Sequence, residues 1–166
     1  SLLPGLAIPL GRDVTTWYYL ADTDPAALTH GEPVLVVDGR RGRGPVINTV
    51  VLTHAAPSYA SGGRVLVSAS ALGLHHDPAT ELAVRQHLAE MYVADTARWT
   101  LAGTYPIPYA LPAMDVPLDI RKPVALQDGL IVAGDHRDTS SIQGAMVSGR
   151  RAADAALVRL GLTATR

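Results

Sequence analysis

The stretch that most constrains the fold is Gly129 to Leu157, GLIVAGDHRDTSSIQGAMVSGRRAADAAL, in which a short apolar run, a polar turn and a small-residue helix follow one another without a gap. Leu130, Ile131, Val132 and Ala133 stand between glycines, the pattern of a strand covered on both faces in a parallel sheet. Gly134 and Asp135 close that strand. The carboxyl end of a strand is where open α/β sheets bind ligands, and a carboxylate there can accept hydrogen bonds from sugar hydroxyls. Ser140 and Gln143 have capping-box spacing, with Ser141 as the alternative cap, so a helix is predicted to start near Ser141. Its first turn, Ile142 to Ala145, offers N–H groups at the positive end of the helix, and Gly144 permits close approach of an anionic or dipolar atom. Ala145, Gly149, Ala152 and Ala156 recur on one helical face and leave it almost free of bulk. Periodicity alone leaves open whether a ligand or a tightly packed sheet lies against that face.

Upstream, Val14–Leu20, Pro33–Val37, Val46–Thr53 and Arg64–Ala69 are β-prone runs separated by glycine or proline, and they are predicted to be neighbouring strands. Asp77 and Pro78 give an N-cap and an N1 proline, and Val84, Leu88 and Met91 follow at helical spacing, so one long helix is expected from Pro78 to about Val93. Trp99–Ile107 returns as an extended segment. Prolines 106, 108, 112 and 117 keep the chain extended, and residues 113–127 read as a connection.

Several function classes are disfavoured. The net charge of −1 implies no nucleic-acid field, and the absence of cysteine removes thiol nucleophiles and Cys-based metal sites. The apolar start lacks a basic region and is broken by Pro4 and Pro9, no apolar run approaches the roughly 20 residues of a membrane span, and a cytoplasmic location is the expectation. His75, His76 and Asp77 lack a second ligand pair, so no metal site is assigned. Arg40, Arg41 and Arg43 read as a solvated hairpin loop, and His54 as a polar residue at the end of an apolar run. No hydrolase motif is present.

From Gly134 onward the chain resembles the C-terminal signature of the flavin-dependent amine oxidase superfamily, which includes monoamine oxidases, protoporphyrinogen oxidases and phytoene desaturases. In that signature a G-D pair is followed by S-I-x-G-A-x-x-S-G and alanines, here Gly134, Asp135, Ser141, Ile142, Gly144, Ala145, Ser148, Gly149, Ala152 and Ala153. The resemblance implies that Asp135 serves the ribityl or phosphate side of FAD and that the N–H groups from Ile142 to Met146 face the flavin pyrimidine edge. The stretches INTVVLTHAAPSYASGGRVLVSASALG and RWTLAGTYPIPYALP resemble the substrate-domain half of the same superfamily. The implied fold is mixed α+β. Residues 1–112 would be a partial substrate-binding domain, a β-sheet with one long helix, and residues 113–166 the C-terminal strand and helix of a Rossmann-like FAD-binding domain. Tyr105, Tyr109 and His136 become candidates for lining a substrate cavity, and no catalytic side chain is assigned.

The G-x-G-x-x-G turn that holds the pyrophosphate in such enzymes is missing; Gly39, Gly42 and Gly44 in GRRGRG have the wrong spacing. The chain is therefore expected to be the C-terminal part of an FAD-dependent oxidoreductase that moves hydride from a C–H bond of an apolar or amine small molecule to flavin. Alone, it is expected to bind FAD weakly or not at all, to need an N-terminal FAD-binding half as partner, and to self-associate through exposed apolar surface. The alternative is a non-catalytic binding or assembly module that pairs with another polypeptide.

Overall fold

The computed structural model describes residue 6 and residues 10–162. Its main element is a five-stranded sheet of order β2-β3-β4-β1-β5, built from β1 (Gly11–Ala21), β2 (Leu35–Val36), β3 (Asn48–Val51), β4 (Val65–Leu72) and β5 (Thr100–Pro112). The β2/β3, β3/β4 and β1/β4 pairs are antiparallel, with Trp17 opposite Ala69 and Tyr19 opposite Val67. The helices are α1 (Leu52–Ala55), α2 (Pro78–Tyr92) and α3 (Ile142–Arg159). The chain divides into two compact units, Asp13–Pro108 and a second made of Ser1–Arg12 with Tyr109–Arg166. Among the described residues no helix is long and apolar enough to cross a membrane.

Strand alternation organises the Asp13–Pro108 unit. Thr15, Trp17, Tyr19 and Ala21 of β1, Thr49 and Val51 of β3, and Val65, Val67, Ala69 and Ala71 of β4 are all buried, as period-2 side chains on one face require. Val84, Leu88 and Tyr92 of α2 join them in one core with Trp99, whose ring centroid lies 6.2 Å from those of both Tyr19 and Tyr92. The prolines of β5 sit on the last strand of the sheet, where a missing N–H costs no ladder bond on the open side.

Helix α2 starts where the sequence places it, with the Asp77 carboxylate accepting from the Thr80 N–H at 2.7 Å and from its hydroxyl at 2.8 Å. Polar groups on α2 tie it to the rest of the unit. Arg85 donates to the carbonyls of Thr96 and Trp99 and to Glu81, and lies 4.9 Å from the centre of the Tyr19 ring. The Tyr19 hydroxyl donates to Glu81 at 3.1 Å, and burial, reinforced by Glu81, pushes its pKa far up. His87 accepts the Val46 N–H on Nδ1 and donates from Nε2 to Asp38 at 2.8 Å. Asp38 is also held by the Arg40 guanidinium, which reaches on to Glu90. Arg40 is thus a clasp between the β2–β3 connection and α2, not a freely solvated loop residue, because Asp38 and Glu90 supply it with two carboxylates.

The structure departs from other expectations too. Only Leu35 and Val36 of the Pro33–Val37 run pair, and the Val46–Thr53 run divides into β3 and the single turn α1. Leu130–Ala133 does not form a strand of a parallel sheet: Ile131 makes an isolated antiparallel bridge to Ala125, and the run is at most half-buried. Along one edge the run bonds to residues 124–126, Leu130 accepting from the Leu126 N–H and Val132 donating to the Val124 carbonyl, each at 2.8 Å, whereas a strand inside a sheet needs a partner along both edges.

Two stability predictions follow from α2 and its clasp. Val93 ends α2 in the left-handed region, at φ 52°, and is 93% exposed. A β-branched side chain is strained there, so Val93→Gly is expected to raise stability by about 1 kcal/mol in a denaturant titration; an unchanged or lower midpoint would show that no strain is stored at this cap. Arg40, and after it His87, hold the Asp38 carboxyl well below its ordinary value of 3.8. A depressed folded pKa contributes stability above the unfolded value, and that stability is lost as pH falls through the folded one. Melting temperature should therefore fall less in Asp38→Asn than in the wild type between neutral pH and about pH 3; parallel curves would remove Asp38 from the acid response.

Candidate functional site

The second unit places the G-D pair against the second turn of α3. Ser141 is the N-cap, and its Oγ accepts the Gly144 N–H at 3.0 Å. The alternative cap of the S-x-x-Q pattern is therefore the one used. Asp135–Arg137 forms a 3-10 turn that packs on α3. Ser148, fully buried in the second turn of the helix, fastens the two together: its Oγ accepts the Gly134 N–H at 2.9 Å and offers its proton to the carbonyls of Gly134 and Ala145, each at 2.8 Å. Gly134 has φ 148°, and a Cβ there would stand 2.7 Å from the His136 ring, so both backbone and space demand glycine.

Basic side chains hold the preceding connection onto the same helix. Arg151 pairs with the buried Asp138 at 3.0 Å and donates to the carbonyls of Arg121, Lys122 and Arg137. Arg137, itself buried, donates to the Pro123 carbonyl through Nε at 3.2 Å and through its terminal nitrogen. Burial, and next the Arg137 charge, push the His136 pKa down.

The residues expected at a flavin site are distributed unevenly. Gly134, Asp135, His136, Ser141, Ile142, Gly144, Ala145 and Met146 all lie on the 3-10 turn or the first turns of α3. Gly144 has a different reason from the one read in the sequence: a Cβ there would fall 1.9 Å from the Thr139 carbonyl oxygen, so it is the protein's own turn that closes on this glycine. The stripe Ala145, Gly149, Ala152 and Ala156 is half-buried rather than open. Ile142, at 78%, and Met146, at 71%, are exposed apolar side chains one helical turn apart near the start of α3. Tyr105 lies in the other unit, on β5, and lines a cavity of about 570 Å³ with Tyr18. Tyr109 is not in that lining; its left-handed φ of 52° interrupts strand alternation, and its ring covers Gly11. His75 bonds through Nε2 to the Leu72 carbonyl, while His54, at the end of α1, bonds through Nε2 to the Pro25 carbonyl at 2.9 Å and has the Thr29 hydroxyl 3.1 Å from Nδ1.

Sequence reasoning quoted Ser148 only as part of the signature, set Arg137 with His136 near the flavin or the site mouth, and gave no role to Asp138 or Arg151. Helical phase could have found the role of Ser148, because Ser141, Ala145 and Ser148 share one face of α3. Nothing in spacing indicates that Arg151 reaches carbonyls about thirty residues upstream.

The family model described as "flavin containing amine oxidoreductase" matches residues 28–157, most of the chain. The chain belongs to that family. Among solved structures, an oxidoreductase from Methanosarcina mazei shares the fold, with a TM-score of 0.57 and 15% identity over 86% of this chain. The match covers 35% of that oxidoreductase, so the chain spans about a third of its length. No curated protein sequence gives a significant match. In this flavin-family chain Gly134 and Ser148 have a structural duty that the geometry states directly: one presents N–H and C=O, the other binds both.

Ser148→Ala would leave the Gly134 N–H without its partner. The expected cost is about 1–3 kcal/mol in chemical denaturation, while Ser148→Thr, which keeps the hydroxyl, should lose less. Equal losses in the two variants would assign the effect to packing instead.

Proposed function

We propose that this chain supplies part of an FAD site and one wall of a substrate cavity in an FAD-dependent oxidoreductase of the amine oxidase or desaturase type. The observation that carries the reading is the Ser148-bound turn, which holds the Gly134-Asp135 pair against an 18-residue helix whose N-terminus Ser141 caps. The donor set fits a flavin. The Ile142 and Gln143 N–H groups have no acceptor within a helix that starts at Ile142, and the positive helix end suits the electron-rich pyrimidine edge of the ring. Gly134, Asp135, Ser141, Ile142, Gly144, Ala145 and Met146 would form the cofactor segment, with Asp135 accepting from ribityl hydroxyls and Ile142 and Met146 giving apolar contact. The Thr139 carbonyl fills the space at Gly144, so that glycine would act by allowing the turn, not by admitting the cofactor.

When bound, FAD accepts a hydride from a substrate C–H bond. In this reading the chain's residues bind and orient, and no side chain moves a proton. His136 stands beside the Gly-Asp pair and is held toward its neutral form. Residues 1–166 contain no G-x-G-x-x-G, so the pyrophosphate would be held by an N-terminal FAD-binding half, on the same or another polypeptide.

A second reading, a non-catalytic module that pairs with another polypeptide, draws on the exposure of Ile142, Met146, Val158 and Leu160 on and after α3. Flavin content separates the two. Purified together with an FAD-binding half, the protein should carry flavin absorbance near stoichiometry, and Asp135→Ala should weaken FAD retention about tenfold, the worth of a charged hydrogen bond. A colourless complex would favour the pairing module; full retention in the variant would take Asp135 out of the site.

A further inference from the structure

We propose that the cavity on the β1/β4/β5 face takes a neutral, planar apolar molecule in preference to a protonated amine. This rests on the reading above that the Asp13–Pro108 unit forms a substrate wall, and it names the substrate class of that wall. The cavity, about 570 Å³, is lined by nine residues, among them Thr16, Tyr18, Leu66, Gly103, Tyr105 and Ile107. Its size is that of a small-molecule site.

Three observations point to the ligand. First, none of the nine lining residues carries a charge. An ammonium settling on this open surface would find no carboxylate among the lining residues, and the apolar side chains give a charge nothing in exchange for the water they displace. Second, the polar groups are few and partly spent, since the Thr16 hydroxyl is already bonded to Ser70 at 3.0 Å. Third, the aromatic wall is built. Tyr18 and Tyr105 meet edge to face, with ring centroids 5.6 Å apart and planes at 81°, and the Tyr105 ring folds back over Gly103, where a Cβ would stand 2.9 Å from it. Only glycine at 103 leaves the ring in that pose. A fixed pair of perpendicular rings offers a face and an edge, to which a flat conjugated or aromatic molecule is complementary.

Tyrosine faces also attract cations, so the deciding test is a matched pair of probes. 2-Naphthalenemethanol and 2-naphthylmethylammonium have nearly the same shape and differ in charge. Each is titrated into the isotopically labelled chain, following the backbone amides of Tyr18, Gly103 and Thr104 by NMR. The neutral probe should shift these amides and bind at least about tenfold more tightly than the ammonium. Gly103→Ala, which displaces the Tyr105 ring without removing it, and Tyr105→Leu should each weaken the neutral probe about fivefold or more. Equal or tighter binding of the ammonium, or shifts that avoid these amides, would overturn the assignment. No flavin enters this titration, so its failure is distinct from a failure of the cofactor reading, which flavin retention reports.

Discussion

One-sided burial of β1 and β4 against α2 is the constraint on which the Asp13–Pro108 unit depends. Trp17, Tyr19, Val67 and Ala69 can all be buried only if their strands pair in one register, since a shift by a single residue would turn the whole set outward. The same register decides what the opposite face carries. Thr16, Tyr18 and Leu66, the neighbours of the core residues, become the floor of the open cavity, so the packing of one side dictates the chemistry available on the other.

The second unit is held by different forces. Among its described residues Val124 is the buried hydrophobic side chain, whereas Arg137, Asp138 and Ser148 are buried polar ones. Directional bonds from Ser148 to Gly134, and from Arg137 and Arg151 to the carbonyls of residues 121–123, take the place of an apolar core. Such bonds fix geometry more tightly than apolar contact does, because losing one partner strands the other in a dehydrated place.

Local signals were legible in the sequence wherever one residue acts on its near neighbours. Asp77 and Pro78 open α2, Ser141 caps α3, and runs of β-formers set off by glycine or proline mark β1 and β4, because caps and propensities act over a few residues. The candidate site was legible as a list, since the residues from Gly134 to Met146 adjoin one another in the chain. What could not be read was how they are supported. The Leu130–Ala133 run has the composition of a buried strand, yet strand formation depends on a partner edge, which composition does not encode. Gly144 looked like room for a ligand, but only the folded chain shows that the Thr139 carbonyl fills that room. Tyr105 and Tyr109 looked equivalent until the positive φ at Tyr109 separated them.

By itself the sequence determined the starts of α2 and α3, the absence of cysteine chemistry and the flavin-family signature, all properties of composition or of spacing within a turn or two of chain. Tertiary structure alone decided which glycines make room for the protein's own atoms, which arginines are spent on carbonyls, and that the open sheet face is uncharged around a pair of tyrosine rings. Those are contacts between residues up to dozens of positions apart, and their energy depends on distance and burial, which exist only once the chain has folded.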